Sequence, residues 1–164
     1  MISVPEFSRC IILHTMLLTI EKVAILQGMD IFAGTPGHLL AAVAQIAEEV
    51  ELHPGEALIV EGALEDCLYV VVEGQVRVHS NGQTLTTLGP GHSVGELAVL
   101  DPEPRSASVN AVGEVRLFRI DKEPFAEVML RRPEIAQGIM RALARRIREL
   151  TQMVTAKHND TTTR

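Results

Sequence analysis

From Glu49 to Asp121 apolar and polar residues alternate with a period of two, in short segments cut by turn signals. The turns are Pro54-Gly55, Glu73-Gly74, Asn81-Gly82, Gly89-Pro90-Gly91 and Val112-Gly113. A period of two places successive side chains on opposite faces of an extended chain, which a helix cannot use. Strands are therefore expected at about 48–53, 57–61, 67–73, 75–80, 83–88, 106–112 and 115–120. Asn81-Gly82 predicts a two-residue hairpin, because both central positions of the favoured turn need positive φ. Many short strands in succession predict a mainly β fold, a jelly-roll β-barrel (double-stranded β-helix), with helices before it and one long helix after it.

The flanks change period. Residues 11–27 set Leu13, Met16, Leu17, Ile20, Val23 and Ala24 at helical spacing, with Ile12, Leu18, Ile25 and Leu26 outside that stripe. A helix so apolar needs cover on more than one side, from its own domain, another subunit or an upstream domain. Phe32–Ala47 predicts a second helix after the Gly34-Thr35-Pro36-Gly37 turn, with Leu39, Leu40, Val43 and Ile46 inward. Residues 121–130 predict a short helix with Asp121 as N-cap, broken at Arg131-Arg132-Pro133. Residues 133–154 predict a long helix with a seam of Ile135, Ile139, Leu143, Ile147, Leu150 and Val154, spaced as in a two-helix contact. The chain thus divides into a helical connector (1–30), a β domain (31–154) and a polar, frayed tail (155–164).

Composition narrows the function. Among 164 residues the formal net charge is −6, which argues against a broad contact with a phosphate backbone. The run Arg141, Arg145, Arg146, Arg148 reads as a solvated helix face paired with Glu149. Aromatic residues make up 3%, with no Trp and one Tyr, so the core must be aliphatic. Cys10 and Cys67 lack metal-type spacing and read as buried thiols in a reducing compartment, consistent with a cytoplasmic location. No apolar run is long enough to span a membrane, and Cys10–Ile20 lacks the basic flank and cleavage site of a signal peptide. A metal site of the kind some jelly-roll enzymes carry needs paired histidines. Here His92 and Glu96 stand four apart, but the other histidines are scattered, so no metal is expected. Ser93 and Ser106 lack the flanking pattern of a nucleophile, and no catalysis is expected.

The chemistry concentrates at residues 95–107, GELAVLDPEPRSA. Gly95 permits a close backbone approach. Glu96, Leu97, Ala98 and Val99 can form one helical turn whose unpaired N–H groups suit an anion. Arg105 adds a planar fork fitted to phosphate. Glu96 is out of place beside an anion unless it accepts a hydrogen bond, as from a ribose hydroxyl. The segment offers donors for one phosphate and an acceptor for one sugar.

Gly95, Glu96, Leu97 and Ala98, followed by Pro104, Arg105, Ser106 and Ala107, resemble the phosphate-binding cassette of the cyclic-nucleotide-binding domains of bacterial catabolite activators and of cyclic-AMP-dependent kinase regulatory subunits. The spacing from Glu96 to Arg105 is that of the kinase subunits, and the resemblance extends over roughly residues 30–150. It implies a ligand-sensing regulatory module that takes a cyclic nucleotide, cyclic AMP favoured over cyclic GMP, and needs no cofactor. Gly95, Glu96, Leu97, Ala98, Arg105, Ser106 and Ala107 would bind the ligand, with Glu96 on the 2′-hydroxyl and Ser106 and Arg105 on the phosphate. The helix from Pro133 would close as a lid, but it carries no aromatic residue, so an arginine or aliphatic side chain would cover the base. Binding would pass through the helices to a partner domain or subunit, with a homodimer expected. In catabolite activators a DNA-binding domain follows that helix; here only a short polar tail does, and no nucleic-acid contact is expected. The competing possibility is a structural or dimerisation domain that keeps the fold without the ligand.

Overall fold

The run Cys67–Val71 is apolar without alternation because it lies in a strand covered on both faces. It lies at the centre of a molecule seen here as a computed structural model describing residues 17–101 and 103–161, with side chains through residue 155. Along the chain come α1 (Thr19–Gln27), a 3-10 turn (Asp30–Phe32), α2 (Gly37–Ile46), β1 (Glu48–Leu52), β2 (Ala57–Ile59) and β3 (Cys67–Glu73). There follow β4 (Val76–Ser80), β5 (Gln83–Leu88), β6 (Ser93–Val94), α3 (Glu96–Leu100), β7 (Ser108–Ala111), β8 (Val115–Asp121), α4 (Lys122–Arg131) and α5 (Pro133–Thr161).

The strands form two antiparallel four-stranded sheets, β1-β8-β3-β6 and β2-β7-β4-β5. They face one another in the jelly-roll manner without joining into one closed hydrogen-bonded barrel. Cys67, Tyr69, Val71, Val115 and Leu117 of the first sheet point between the sheets. Leu68, Val70, Phe118 and Ile120 point the other way, into a cluster built with the helices. Three of the four phenylalanines, Phe32, Phe118 and Phe125, are in that helical cluster, and the rings of Phe32 and Phe125 meet edge to face at 6.3 Å.

The expected hairpin is present: Asn81 (φ 50°) and Gly82 (φ 77°) join Ser80 to Gln83. The pair Ser93-Val94 is too short to show a period, so the sequence pattern passed over β6. The helix expected after the Gly34-Thr35-Pro36-Gly37 turn is α2, which begins at Gly37, and residues 30–32 ahead of the turn wind as a 3-10 turn. Helix α1 is rotated from the expected stripe. Ile20 is 75% exposed while Leu26 is fully buried. Its phase is held by Lys22, whose Nζ donates to Ala47 O at 2.8 Å, sits 3.4 Å from Glu49 Oε1 and lies over the Phe118 ring. Leu13, Met16 and Cys10 lie outside the described residues. Asp121 occupies the N-cap position of α4, but its carboxylate accepts from Arg119 Nε at 2.8 Å rather than capping the helix. That hydrogen bond also raises the Arg119 pKa.

Helix α5 continues past residue 154 through Thr161, where a frayed tail was expected. Only the apolar seam ends there; residues 155–161 contain neither Gly nor Pro to stop the helix. The seam itself changes role along its length. Ile135 and Ile139 are buried in the domain, Leu143 packs at its margin, and Ile147, Leu150 and Val154 are exposed. Gly138 lies inside this helix because a Cβ there would stand 2.5 Å from Thr35 Oγ1, so α5 can approach the 33–36 turn only at a glycine. Among the described residues no helix is long and apolar enough to cross a membrane.

Candidate functional site

The cassette residues converge on one cavity of about 350 Å³. Gly95, Glu96, Leu97, Ala98, Arg105, Ser106 and Ala107 all line it, together with Ile59, Val78, Thr86, Leu88 and Val109 from the second sheet and Arg146 from α5. The lower wall is therefore aliphatic, and the polar groups gather on the side of α3 and the loop that follows.

Gly95 opens α3 in the left-handed region, at φ 78°. Such a φ favours glycine, and a Cβ there would also run into the Arg105 guanidinium and the Cys67 carbonyl. The close approach expected of Gly95 is thus made first of all by Arg105 itself.

Arg105 is 7% exposed. Its backbone is tied to the loop before β3, with N donating to Ala63 O at 3.0 Å and its carbonyl accepting from Gly62 N at 2.8 Å. Its guanidinium donates from Nη1 to Gly95 O at 3.2 Å and from Nη2 to Cys67 O at 2.7 Å. Glu65 Oε2 lies 3.5 Å from Nη2. Nε is buried and has no partner among the described residues. A buried cation with an unmet donor on a cavity wall is costly unless an anion completes it. The Cys67 thiol beneath the fork is buried, and burial and this thiol raise the Tyr69 phenol above its ordinary pKa.

Glu96 is engaged from an unexpected direction. Arg146 of α5 donates from Nη1 to its Oε1 across the cavity mouth. Arg146, placed on a solvated face by sequence, is instead half-buried against the domain, while Arg145 stays exposed with its Nη2 donating to Asp30 O at 3.4 Å. Glu96 and Arg146 are 50 residues apart, and no local pattern links them. The only signal in the sequence is an arginine-rich turn on a helix already assigned as the lid. Leu97 stands mostly exposed at the rim, and Ser106 is exposed beside Arg105. His92 lies outside this cavity, its Nδ1 within 3.2 Å of Gly89 O.

The jelly roll thus places a buried arginine, a carboxylate and a glycine-initiated helical turn around one cavity. Residues 49–132 match the cyclic nucleotide-binding domain family, and the chain belongs to that family. It is 33% identical to the CRP-like cAMP-activated global transcriptional regulator of Mycobacterium tuberculosis, over 76% of this chain and 58% of the relative. It is 30% identical to a Pycsar effector protein of Burkholderia cepacia, over 83% of this chain and 45% of that one. The chain thus spans about half the length of these curated relatives. Among solved structures it resembles the N-terminal domain of a transcriptional regulator from Streptomyces coelicolor, with a TM-score of 0.70 and 33% identity over 79% of this chain and 94% of that one.

Proposed function

We propose that the chain is a sensor for cyclic AMP that performs no chemistry of its own and acts by shifting the position of α5. Support comes foremost from Arg105, a buried guanidinium with an unpartnered Nε on the cavity wall. The cyclic phosphate completes that charge, with Ser106 and the first turn of α3 as further donors. Glu96 accepts the ribose 2′-hydroxyl while Arg146 holds its other side. The base lies toward Val78, Thr86 and Leu88, and α5 closes over it with an arginine where an aromatic ring is lacking. Preference for cyclic AMP over cyclic GMP rests on the likeness to a cAMP-activated regulator.

Calorimetry of the purified chain tests this directly. Cyclic AMP is expected to bind with a micromolar dissociation constant, about −8 kcal/mol. The 2′-deoxy ligand is expected to bind wild-type protein at least tenfold more weakly, and Glu96→Gln to erase that difference. A flat titration at millimolar ligand with folded protein would instead favour a structural domain that has lost its ligand.

The exposed end of the α5 seam supports a second element, assembly with another copy of the chain. Ile147, Leu150 and Val154 lie at heptad spacing on one face. Each such side chain contributes roughly 1.5–3 kcal/mol when fully buried, enough in sum to offset the cost of association. Wild-type protein is expected to sediment as a dimer, and Ile147→Glu with Leu150→Glu as a monomer. A variant that stays dimeric moves the contact off α5, and α1 becomes the next surface to test. Signal transfer to an effector domain would then run through the paired α5 helices.

A further inference from the structure

Arg146 stands between two cavities. One side of it lines the nucleotide cavity; the other lines an open groove of about 360 Å³ beside α5, whose wall also includes Asp30 and His92. Its two terminal nitrogens divide accordingly. Nη1 holds Glu96, and Nη2 lies 3.8 Å from Asp30 Oδ2. Asp30 is itself held on every side. Its Oδ1 accepts from the buried Ser93 Oγ at 3.2 Å, its N–H donates to Gly91 O at 2.9 Å, and its carbonyl accepts from Arg145 at 3.4 Å. It is also the first residue of the 3-10 turn that follows α1.

We infer that Asp30 is a positioning residue of the nucleotide site: it fixes Arg146 against Glu96 and links occupancy of the cavity to the N-terminal helix. The inference rests on the cyclic-nucleotide reading of the cavity. A carboxylate that must accept one hydroxyl from a ligand needs its own orientation set, and a lone arginine on a long flexible stem does this poorly. Two carboxylates at the two terminal nitrogens of one guanidinium, Glu96 by a hydrogen bond and Asp30 by an ion pair, narrow its placement. When a ribose hydroxyl arrives at Glu96, any displacement of Arg146 is felt at Asp30, which is itself the first residue of the turn after α1 and is tied through its backbone to Gly91 and Arg145. The β6 strand contributes Ser93, so cavity wall, lid and N-terminal turn meet at a single carboxylate.

Asp30→Asn keeps the size of the side chain and leaves both backbone hydrogen bonds in place. Three proteins, Asp30→Asn, Arg146→Gln and the double variant, are compared with wild type by titration with cyclic AMP and its 2′-deoxy form and by amide hydrogen exchange. Asp30→Asn is expected to lower the ribose preference at least threefold, which a loss of general stability would not do. In the ligand-free protein it should speed exchange of the 142–150 amides several-fold, and the double variant should go no further than Arg146→Gln. Ligand should slow exchange over residues 19–32 in wild type and not in Asp30→Asn. Wild-type preference and exchange in Asp30→Asn, or additive effects of the two substitutions, would overturn the assignment. Absence of cyclic AMP binding by wild type defeats the nucleotide reading alone; the ligand-free exchange of Asp30→Asn still decides whether Asp30 holds Arg146.

Discussion

Arg105→Ala is expected to weaken cyclic AMP binding by about 2–4 kcal/mol, roughly 30- to 700-fold in dissociation constant. The size follows from burial. At 7% exposure the guanidinium has little water to fall back on, and a phosphate seated against it has no other buried cation among the described lining residues. Arg105→Lys should recover only part of the loss. A lysine carries the charge but cannot donate to Gly95 O and Cys67 O as a fork while presenting a further donor to the ligand. Calorimetry of both variants with cyclic AMP reads the effect, and near-native affinity in the alanine variant would place the phosphate elsewhere. Gly95 and Arg105 are also joined sterically, so removal of the long side chain leaves a void behind α3. Some loss of thermal stability is therefore expected in the alanine variant even without ligand.

Ile139→Ala is expected to cost about 2–5 kcal/mol of folding stability, measured by urea unfolding. Ile139 is 1% exposed and belongs to the cluster that joins α5 to Phe32, Phe118 and Phe125. Ile147 lies two turns further along the same seam but is 63% exposed. Ile147→Ala should change monomer stability by no more than about 0.5 kcal/mol. Equal costs at the two positions would mean that the whole seam is core and that α5 has no free end to move. A large difference is what a lid needs: one end anchored in the domain, the other available to a ligand or to a second copy of the chain.

Much of this molecule was legible in residues that are neighbours along the chain. Alternation and glycine turns located seven of the eight strands among the described residues, because period and turn chemistry are properties of adjacent residues. The candidate site was equally visible: its seven residues sit within thirteen positions, 95–107, and the structure brings all seven to one cavity. Pro133 likewise marked the break between α4 and α5.

Tertiary structure decided what depends on distant residues meeting. Sequence placed Ile20 on the apolar stripe; docking of Lys22 on Ala47, Glu49 and Phe118 turned α1 the other way. A hydrophobic stripe gives a helix several nearly equivalent phases when apolar residues cover most of its circumference, and one buried ion pair selects among them. The basic run of α5 read as a solvated face, and Arg141, Arg145 and Arg148 are exposed; Arg146 departs from it because its acidic partners, Glu96 and Asp30, are 50 and more residues away and come within reach only when the helix folds back across the cavity. Local spacing thus gathered at 95–107 the residue types suited to a phosphate and a sugar. Only the closed chain decided which residue covers that site and what lies behind it, since an ion pair across a cavity is set by the packing of whole elements and not by any interval in the sequence.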